Sequence, residues 1–83
     1  MSDESILIVD DEKNILSTIS MALKSNGYAV RTAESGAKAL DEQAAAECSL
    51  GVFDIMMPGM DGLELLRVFK EKWPNTAVIM MSG

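Results

Sequence analysis

The sequence predicts a single α/β domain built on one parallel sheet, and three observations support this prediction. Four short apolar runs alternate with segments whose apolar residues recur at helical spacing, which is typical of parallel strands joined by helices. The first run and the last run are apolar at almost every position, as strands covered on both faces are. The chain has 83 residues, of which 48% are hydrophobic and 24% charged, so we place one folded domain at residues 1–83.

Charge and residue usage exclude several functions. The net charge of −6 disfavours direct binding to nucleic acid, and the lack of histidine removes histidine-based catalysis and histidine metal ligands. The single cysteine, Cys48, cannot form an internal disulfide, so we expect a cytoplasmic setting and a thiol packed in the core. No apolar run approaches the roughly 18 residues of a membrane span, and no signal peptide begins the chain, so no membrane partner is expected.

The first strand and helix are the clearest elements. Ser5–Val9 is a short unbroken apolar run that predicts a central strand, and three acidic residues end it abruptly. Residues 13–26 predict a helix, and Gly27 is suited to end it. We expect its buried face to carry apolar residues at spacings of three and four: Ile15, Ile19, Ala22 and Leu23.

The second strand and helix are less apolar. Residues 28–32 contain a charge, so we predict a strand at the edge of the sheet. Ser35 is placed to cap the next helix. The predicted inner face of that helix is thin and mostly alanine: Ala37, Leu40 and Ala44.

The third strand, the third helix and the fourth strand complete the pattern. Residues 50–53 predict a strand in which Gly51 indicates close approach, and Asp54 ends it. Pro58 and Gly59 suit the central positions of a type II turn. Asp61 with Glu64 resembles a capping box that opens a helix to about residue 72, and Ala77–Met81 predicts the last strand. The predicted buried face of this helix is Leu63, Leu66 and Phe69 or their neighbours.

The order of the strands follows from the handedness of crossover connections. Crossovers are right-handed in about 98% of cases, and the most apolar strand belongs inside, which gives the order 2-1-3-4. The fold is then a doubly wound parallel sheet of the flavodoxin-like kind, with a switch point between strands one and three. Asp10 and Asp11 end strand one and Asp54 ends strand three, so these carboxylates should converge at that point.

Three converging carboxylates repel one another unless a cation or protons lie among them. Mg²⁺ is the cation that suits this oxygen-only donor set. Zinc usually requires softer ligands such as cysteine or histidine, and none accompanies these carboxylates. A carboxylate beside Mg²⁺ can also act as a nucleophile toward a phosphoryl group, and Ser82 at the end of strand four could donate a hydrogen bond to it. Each of these residues taken alone is more often a solvated or capping residue, and the predicted topology is what favours a site.

At these residues the sequence resembles the receiver domain of bacterial two-component response regulators. The matching segments are ILIVDDE at residues 6–12, GVFDIMMPGMDG at 51–62 and VIMMSG at 78–83. The resemblance covers the whole chain, and the middle segment is the specific one. The ending MMSG is most similar to receivers fused to ATPase transcription activators.

The resemblance implies a role for each matching position. Asp54 is similar to the residue that a histidine kinase phosphorylates, and Asp11 to the main Mg²⁺ carboxylate, with Asp10 acting on Mg²⁺ through water or directly. The backbone carbonyl of Met56 corresponds to a third protein ligand of Mg²⁺. Ser82 corresponds to the switch hydroxyl that contacts the phosphoryl group. The implied partners are a sensor histidine kinase and an output domain, and the implied role is a switch rather than an enzyme.

The sequence departs from the family's pattern at its end. Receivers have a fifth strand with a lysine that contacts the phosphoryl group, and two further helices, whereas these 83 residues end after strand four. We therefore expect a partial receiver domain that binds metal, with impaired phosphoryl chemistry. We also expect its fourth strand to form an open apolar edge through which the chain self-associates.

Two other functions remain open from the residues. The chain could be a scaffold fragment that self-associates or titrates a kinase without being phosphorylated. It could also be a phosphatase with Asp54 as nucleophile, although such sites usually carry a second acid two residues later, where this chain has Met56.

Overall fold

The computed structural model describes residues 5–81. Strands and helices alternate throughout this range, as predicted, and the bounds of β1 and β4 agree with the prediction. The elements in chain order are β1 Ser5–Val9, α1 Lys13–Ser25, β2 Ala29–Ala33, α2 Gly36–Ala45, β3 Leu50–Asp54, α3 Gly62–Lys72 and β4 Ala77–Met81.

The four strands form one sheet in the order β2-β1-β3-β4, and every neighbouring pair is parallel. The predicted flavodoxin-like order 2-1-3-4 is confirmed. Val9 at the end of β1 is in register with Ala33 of β2 and with Phe53 of β3. The residue after Phe53, Asp54, is in register with Met81 of β4. The carboxyl ends of all four strands therefore lie at the same end of the sheet, and the acidic residues are found at this end.

The two faces of the sheet carry separate apolar clusters. Helices α2 and α3 cover one face, where Phe53 and Phe69 are fully buried with their ring centroids 4.8 Å apart. Trp73 also packs against Phe69, with 4.9 Å between the ring centroids. Helix α1 covers the opposite face, where Leu16 packs on Ile6 and Ile8 of the central strand. This division of the helices follows from right-handed crossovers on both sides of β1.

The predicted buried face of α1 is confirmed for Ile19 and Leu23, which pack against Ile6, Ile8 and Leu16, and wrong for Ile15 and Ala22. Ile15 is 39% exposed and Ala22 is also exposed, whereas Leu16 and Ser20 are buried. The segment has adjacent apolar residues at two places, so helical spacing fits two rotations of the helix equally well. The small Ser20 is buried on the face toward the sheet. A prediction from the spacing of apolar residues overlooks it, because serine is polar.

The buried residues of α2 and α3 also differ in part from those predicted. In α2, the predicted Ala37 and Ala44 are exposed, and Ala39 and Gln43 are the buried residues with Gly36. In α3, Phe69 is buried as predicted, but Leu63 is 56% exposed and Leu65 occupies the core. The phase of each helix depends on tertiary packing, which short amphipathic segments do not specify alone.

Ser35 and Asp61 are confirmed as N-caps, whereas the Glu64 carboxylate of the predicted capping box accepts a hydrogen bond from Arg67. Ser35 accepts a hydrogen bond from the backbone N–H of Lys38, and Asp61 accepts one from that of Glu64 at 2.9 Å. Gly27 has a φ of +90° just after α1, in the left-handed region that favours glycine. Gly59 has a φ of +76°, as the third position of a type II turn requires.

A buried polar cluster lies at the opposite end of the sheet from the acidic residues. The side-chain amide of Gln43, which is fully buried, donates to the hydroxyl of Thr76 and accepts from the backbone N–H of Cys48. The Thr76 hydroxyl donates in turn to the carbonyl of Cys48. These bonds connect α2 to the chain segments before β3 and β4. Burial raises the pKa of the Cys48 thiol, so this cysteine remains a neutral core residue.

One face of the sheet is less covered than the other. On the side of α1, Leu50 and Val52 of β3 are only partly buried, and Ile79 beside Val52 on β4 is 54% exposed. Within residues 5–81, β4 pairs with β3 alone, so its other side is an open edge. Among the helices of this range, none is long and apolar enough to cross a membrane.

Candidate metal centre

The register of β1 and β3 determines where the acidic side chains lie. Val9 pairs with Phe53, so the next residue of each strand, Asp10 and Asp54, lie beside each other at the edge of the sheet. The backbone N–H of Asp10 donates to Ala33 of β2, which continues the sheet by one residue. The position of Asp10 and Asp54 is thus a consequence of strand pairing rather than of loop conformation.

Three carboxylates meet at this point. One carboxylate oxygen from each of Asp10, Asp11 and Asp54 lies within 4.8 Å of the others. Asp10 is only 3% exposed, Asp54 is half-buried, and Asp11 is exposed. This oxygen-only donor set, with one side open to solvent, has the composition that Mg²⁺ prefers, since Mg²⁺ keeps several waters beside one or two carboxylates.

Backbone N–H groups orient two of the three carboxylates. The N–H of Glu12 donates to Oδ1 of Asp10 at 2.9 Å, and the N–H of Met56 donates to Oδ1 of Asp54 at 3.2 Å. In both cases the donor is two residues after the aspartate, as in an Asx-turn. Each carboxylate keeps its other oxygen free of these local bonds, so each can still offer a ligand.

The electrostatics of the cluster are unfavourable without a cation. Burial raises the pKa of the Asp10 carboxyl, and the charges of Asp54 and Asp11 raise it further. The hydrogen bond from the N–H of Glu12 lowers it and offsets part of this effect. A bound divalent cation would relieve the repulsion between these carboxylates.

The carboxylates line a cleft of about 570 Å³. The described residues that line this cleft include no basic side chain, so every charged group in its lining is acidic. Met56 is 74% exposed at its rim, and the structure gives no role to its carbonyl. Ser82 lies outside the described residues. The residues lining the cleft are Asp10, Asp11, Glu12, Ile15, Asp54, Met56 and Met81.

Replacing Asp10 by asparagine should stabilise the metal-free chain at neutral pH. The amide oxygen of the new side chain can still accept from the N–H of Glu12, while the repulsion with two neighbouring carboxylates is lost. We therefore expect a gain of about 1–2 kcal/mol in the free energy of unfolding. The raised pKa of Asp10 determines whether ionising this carboxyl stabilises or destabilises the native state. Below the usual value of 3.8 the carboxyl is protonated in both states, and the native state loses stability as the pH rises through the raised pKa.

The measurement is urea unfolding in a chelator at pH 7 and at a pH below 3.8, and Asp41→Asn is the control. Asp41 is an exposed acid on α2, so its replacement makes the same change in net charge away from the cluster. The gain for D10N should be present at pH 7 and absent at low pH. Equal stability of D10N and D41N at pH 7 would contradict this interpretation.

The structure adds three features that sequence reasoning missed. Ile15 and Met81 line the cleft, and the backbone of Glu12 orients Asp10. The alternation of strands and helices gives no signal for them, because each depends on register and loop conformation. A two-residue spacing from aspartate to N–H donor is the only local pattern that could have indicated the contact with Glu12.

Comparison with known proteins agrees with this arrangement. The profile described as "Response regulator receiver domain" matches residues 6–83. The nitrogen assimilation regulatory protein NtrX of Azorhizobium caulinodans is 44% identical to the chain, and the match covers 94% of the chain and 18% of NtrX. The chain thus spans less than a fifth of the length of that relative.

Solved structures give the same result for the fold. A CheY-like response regulator receiver domain protein from Methanospirillum hungatei has a TM-score of 0.95 at 35% identity, covering 99% of this chain and 66% of that one. The response regulator TrrA from Thermotoga maritima, solved in complex with Mg(2+)-BeF, has a TM-score of 0.90 at 35% identity, covering 95% of this chain and 69% of that one. With four parallel strands in the order of these structures and a family match over nearly its whole length, the chain belongs to the response regulator receiver domain family.

Proposed function

We propose that the chain is a phospho-accepting switch, in which Asp54 takes a phosphoryl group while Asp10, Asp11 and Asp54 hold Mg²⁺. The observation that carries this proposal is the meeting of the three carboxylates from two strand ends within 4.8 Å at an open cleft. The solved complex of TrrA with Mg(2+)-BeF supports it, since beryllium fluoride is a chemical stand-in for a phosphoryl group.

The residues of this chain have distinct tasks in the proposed transfer. A carboxylate oxygen of Asp54 attacks phosphorus, an O–P bond forms, and the bond from phosphorus to the donor breaks with the electron pair leaving on the donor. The Met56 N–H holds Oδ1 of Asp54 and so fixes the orientation of the nucleophile. When bound, Mg²⁺ would neutralise charge on the phosphoryl oxygens. The Met56 carbonyl is proposed as a further ligand, and the Ser82 hydroxyl as a hydrogen-bond donor to the phosphoryl group.

The partners follow from the same proposal. The donor in the cell would be a sensor histidine kinase, and the phosphorylated chain would act on an output domain of a longer response regulator, both in the cytoplasm. Such a switch is modified once per signal and is not a turnover enzyme. The net charge of −6 makes direct contact with nucleic acid by this domain unfavourable.

A small phosphodonor with Mg²⁺ tests the proposal. Incubation with acetyl phosphate should add the mass of one phosphoryl group to the intact chain at a slow rate, in line with the impaired chemistry expected from the sequence, and the adduct should be stable in acid and labile in base. A chelator should prevent the addition. Mg²⁺ binding without any adduct would contradict the proposal and favour the scaffold role, whereas continuous release of phosphate would favour a phosphatase.

The same chain is proposed to self-associate through β4. Its open edge offers backbone groups for strand pairing, and Ile79 adds an exposed apolar side chain beside it. Light scattering over a range of concentrations should show dimers or larger species, and Ile79→Lys should shift them toward monomer by about tenfold in dissociation constant. Met21→Lys is the control, since Met21 is 69% exposed on α1, away from that edge. A monomer at high concentration would overturn this proposal.

A further inference from the structure

A glycine lies directly against the backbone of the proposed phosphoacceptor. Gly62 is the first residue of α3 and is buried. A Cβ built on Gly62 would lie 2.8 Å from the carbonyl carbon of Asp54 and 2.9 Å from Cα of Ile55, with the carbonyl oxygen of Asp54 closer still. Real Cβ atoms essentially never approach other atoms within 3.0 Å, so any side chain at position 62 would displace this segment.

The requirement for glycine here is one of space and not of backbone conformation. Among residues 5–81, only Gly27 and Gly59 have a positive φ, so Gly62 adopts a conformation open to every residue. The first position of a helix also has no general preference for glycine. The atoms that a Cβ would meet belong to the main chain, which cannot rotate aside as a flexible side chain can.

Two hydrogen bonds fix the segment that Gly62 contacts. The N–H of Gly62 donates to the carbonyl of Ile55, and the N–H of Ile55 donates to the carbonyl of Met81 at the end of β4, both at 3.0 Å. The Asp54–Ile55 backbone is therefore held between α3 and β4. A shift of that backbone would change the position of the Asp54 carboxylate relative to Asp10 and Asp11.

We propose that Gly62 is a positioning residue for the metal and phosphoacceptor site. Because it lacks a Cβ, α3 can begin in contact with the carbonyl of Asp54, and this contact sets the distance from the Asp54 carboxylate to the other two. The expected effect of Gly62 on Mg²⁺ binding rests on the proposed function. The expected effect of Gly62 on the position of Asp54 does not, and it can be tested without metal.

The expected effect of Gly62→Ala is on metal affinity more than on folding. Mg²⁺ requires near-ideal octahedral geometry at about 2.0–2.1 Å, so it tolerates displacement of one ligand poorly. Changes in groups that orient metal ligands typically weaken binding about 10–100-fold. We expect a loss in that range for the folded G62A chain.

Two other glycines provide matched controls that add the same methyl group. A Cβ at Gly51, in the same strand as Asp54, would meet the ring of Phe53 at 2.6 Å in the core. A Cβ at Gly36 would lie 2.9 Å from the sulfur and 3.0 Å from the Cβ of Met60. Both substitutions should therefore lower stability, and in neither case does the added methyl group meet the backbone of Asp54.

The experiment measures Mg²⁺ affinity by calorimetry and amide chemical shifts by NMR, with sucrose added so that each variant is folded. G62A should bind Mg²⁺ about 10–100-fold more weakly, whereas G51A and G36A should stay within about twofold of the parent chain. In the metal-free state, G62A should shift the amides of Asp54, which ends β3, and of Asp10, which follows β1.

Three results would contradict the proposed role of Gly62, and a fourth would contradict the proposed function instead. Unchanged Mg²⁺ affinity and unchanged amide shifts in folded G62A would overturn the proposal, and so would an equal loss of affinity in G51A. A G62A chain that does not fold even in sucrose would also overturn it, because Gly62 would then be required by the fold and not by the site. If the parent chain binds no Mg²⁺, the proposed function fails, and the amide shifts still test whether Gly62 positions Asp54.

Discussion

Replacing Asp54 by asparagine is expected to abolish phosphoryl uptake from a small phosphodonor. The amide of asparagine is not a nucleophile, and no other described carboxylate of the cleft is both half-buried and held by an N–H on one oxygen as Asp54 is. The reduction in labelling rate should exceed about 100-fold, since the covalent step itself is removed. Intact-mass spectrometry after incubation with acetyl phosphate and Mg²⁺ measures it.

Asp61→Asn is the matched control for this prediction. Asp61 is exposed and caps α3 through a hydrogen bond to the N–H of Glu64, and asparagine caps helices as well as aspartate does. The D61N chain should therefore be labelled at close to the rate of the parent chain. Labelling of D54N at the same rate as D61N would show that the phosphoryl group goes to another residue.

Replacing Phe69 by alanine is expected to remove most of the protein's free energy of unfolding. Phe69 is fully buried between Phe53 and Trp73 and joins α3 to the sheet. Truncation of a buried phenylalanine costs about 3–5 kcal/mol, and a domain of this size has only about 5 kcal/mol or somewhat more in total. Circular dichroism during urea unfolding should show a midpoint lowered by at least half.

Leu63→Ala on the same helix is the control for Phe69→Ala. Leu63 is 56% exposed on the solvent side of α3, so its truncation should change stability by less than about 0.5 kcal/mol. If L63A were as destabilising as F69A, the face of α3 that packs on the sheet would not be the one that carries Phe69.

The position of the acidic residues could be predicted because it depends on topology. Asp10 and Asp54 each follow an apolar strand, and the handedness of crossovers makes those two strands neighbours. The register of Val9 with Phe53 then brings the two carboxylates together without any contribution from loop conformation. The caps at Ser35 and Asp61 were predictable for a similar reason, since capping is local.

Other features depend on contacts that the sequence pattern does not contain. The burial of Leu16 in place of Ile15 and of Leu65 in place of Leu63 follows from helix rotation, which adjacent apolar residues leave ambiguous. Gln43 is a polar residue in the core, and it is tolerated there because its partners come from segments outside α2. The close approach of Gly62 to Asp54 likewise requires the three-dimensional position of α3.

The central claim is that acidic residues from two strand ends share one divalent ion. Calorimetric titration of Mg²⁺ into the 83-residue chain, and into Asp11→Asn and Asp54→Asn, tests it most directly. We predict one saturable site whose affinity falls at least about tenfold with either substitution, because each replaces a charged carboxylate ligand of the same ion by a neutral amide. Equal Mg²⁺ affinity in the parent chain and in either variant would contradict the shared site.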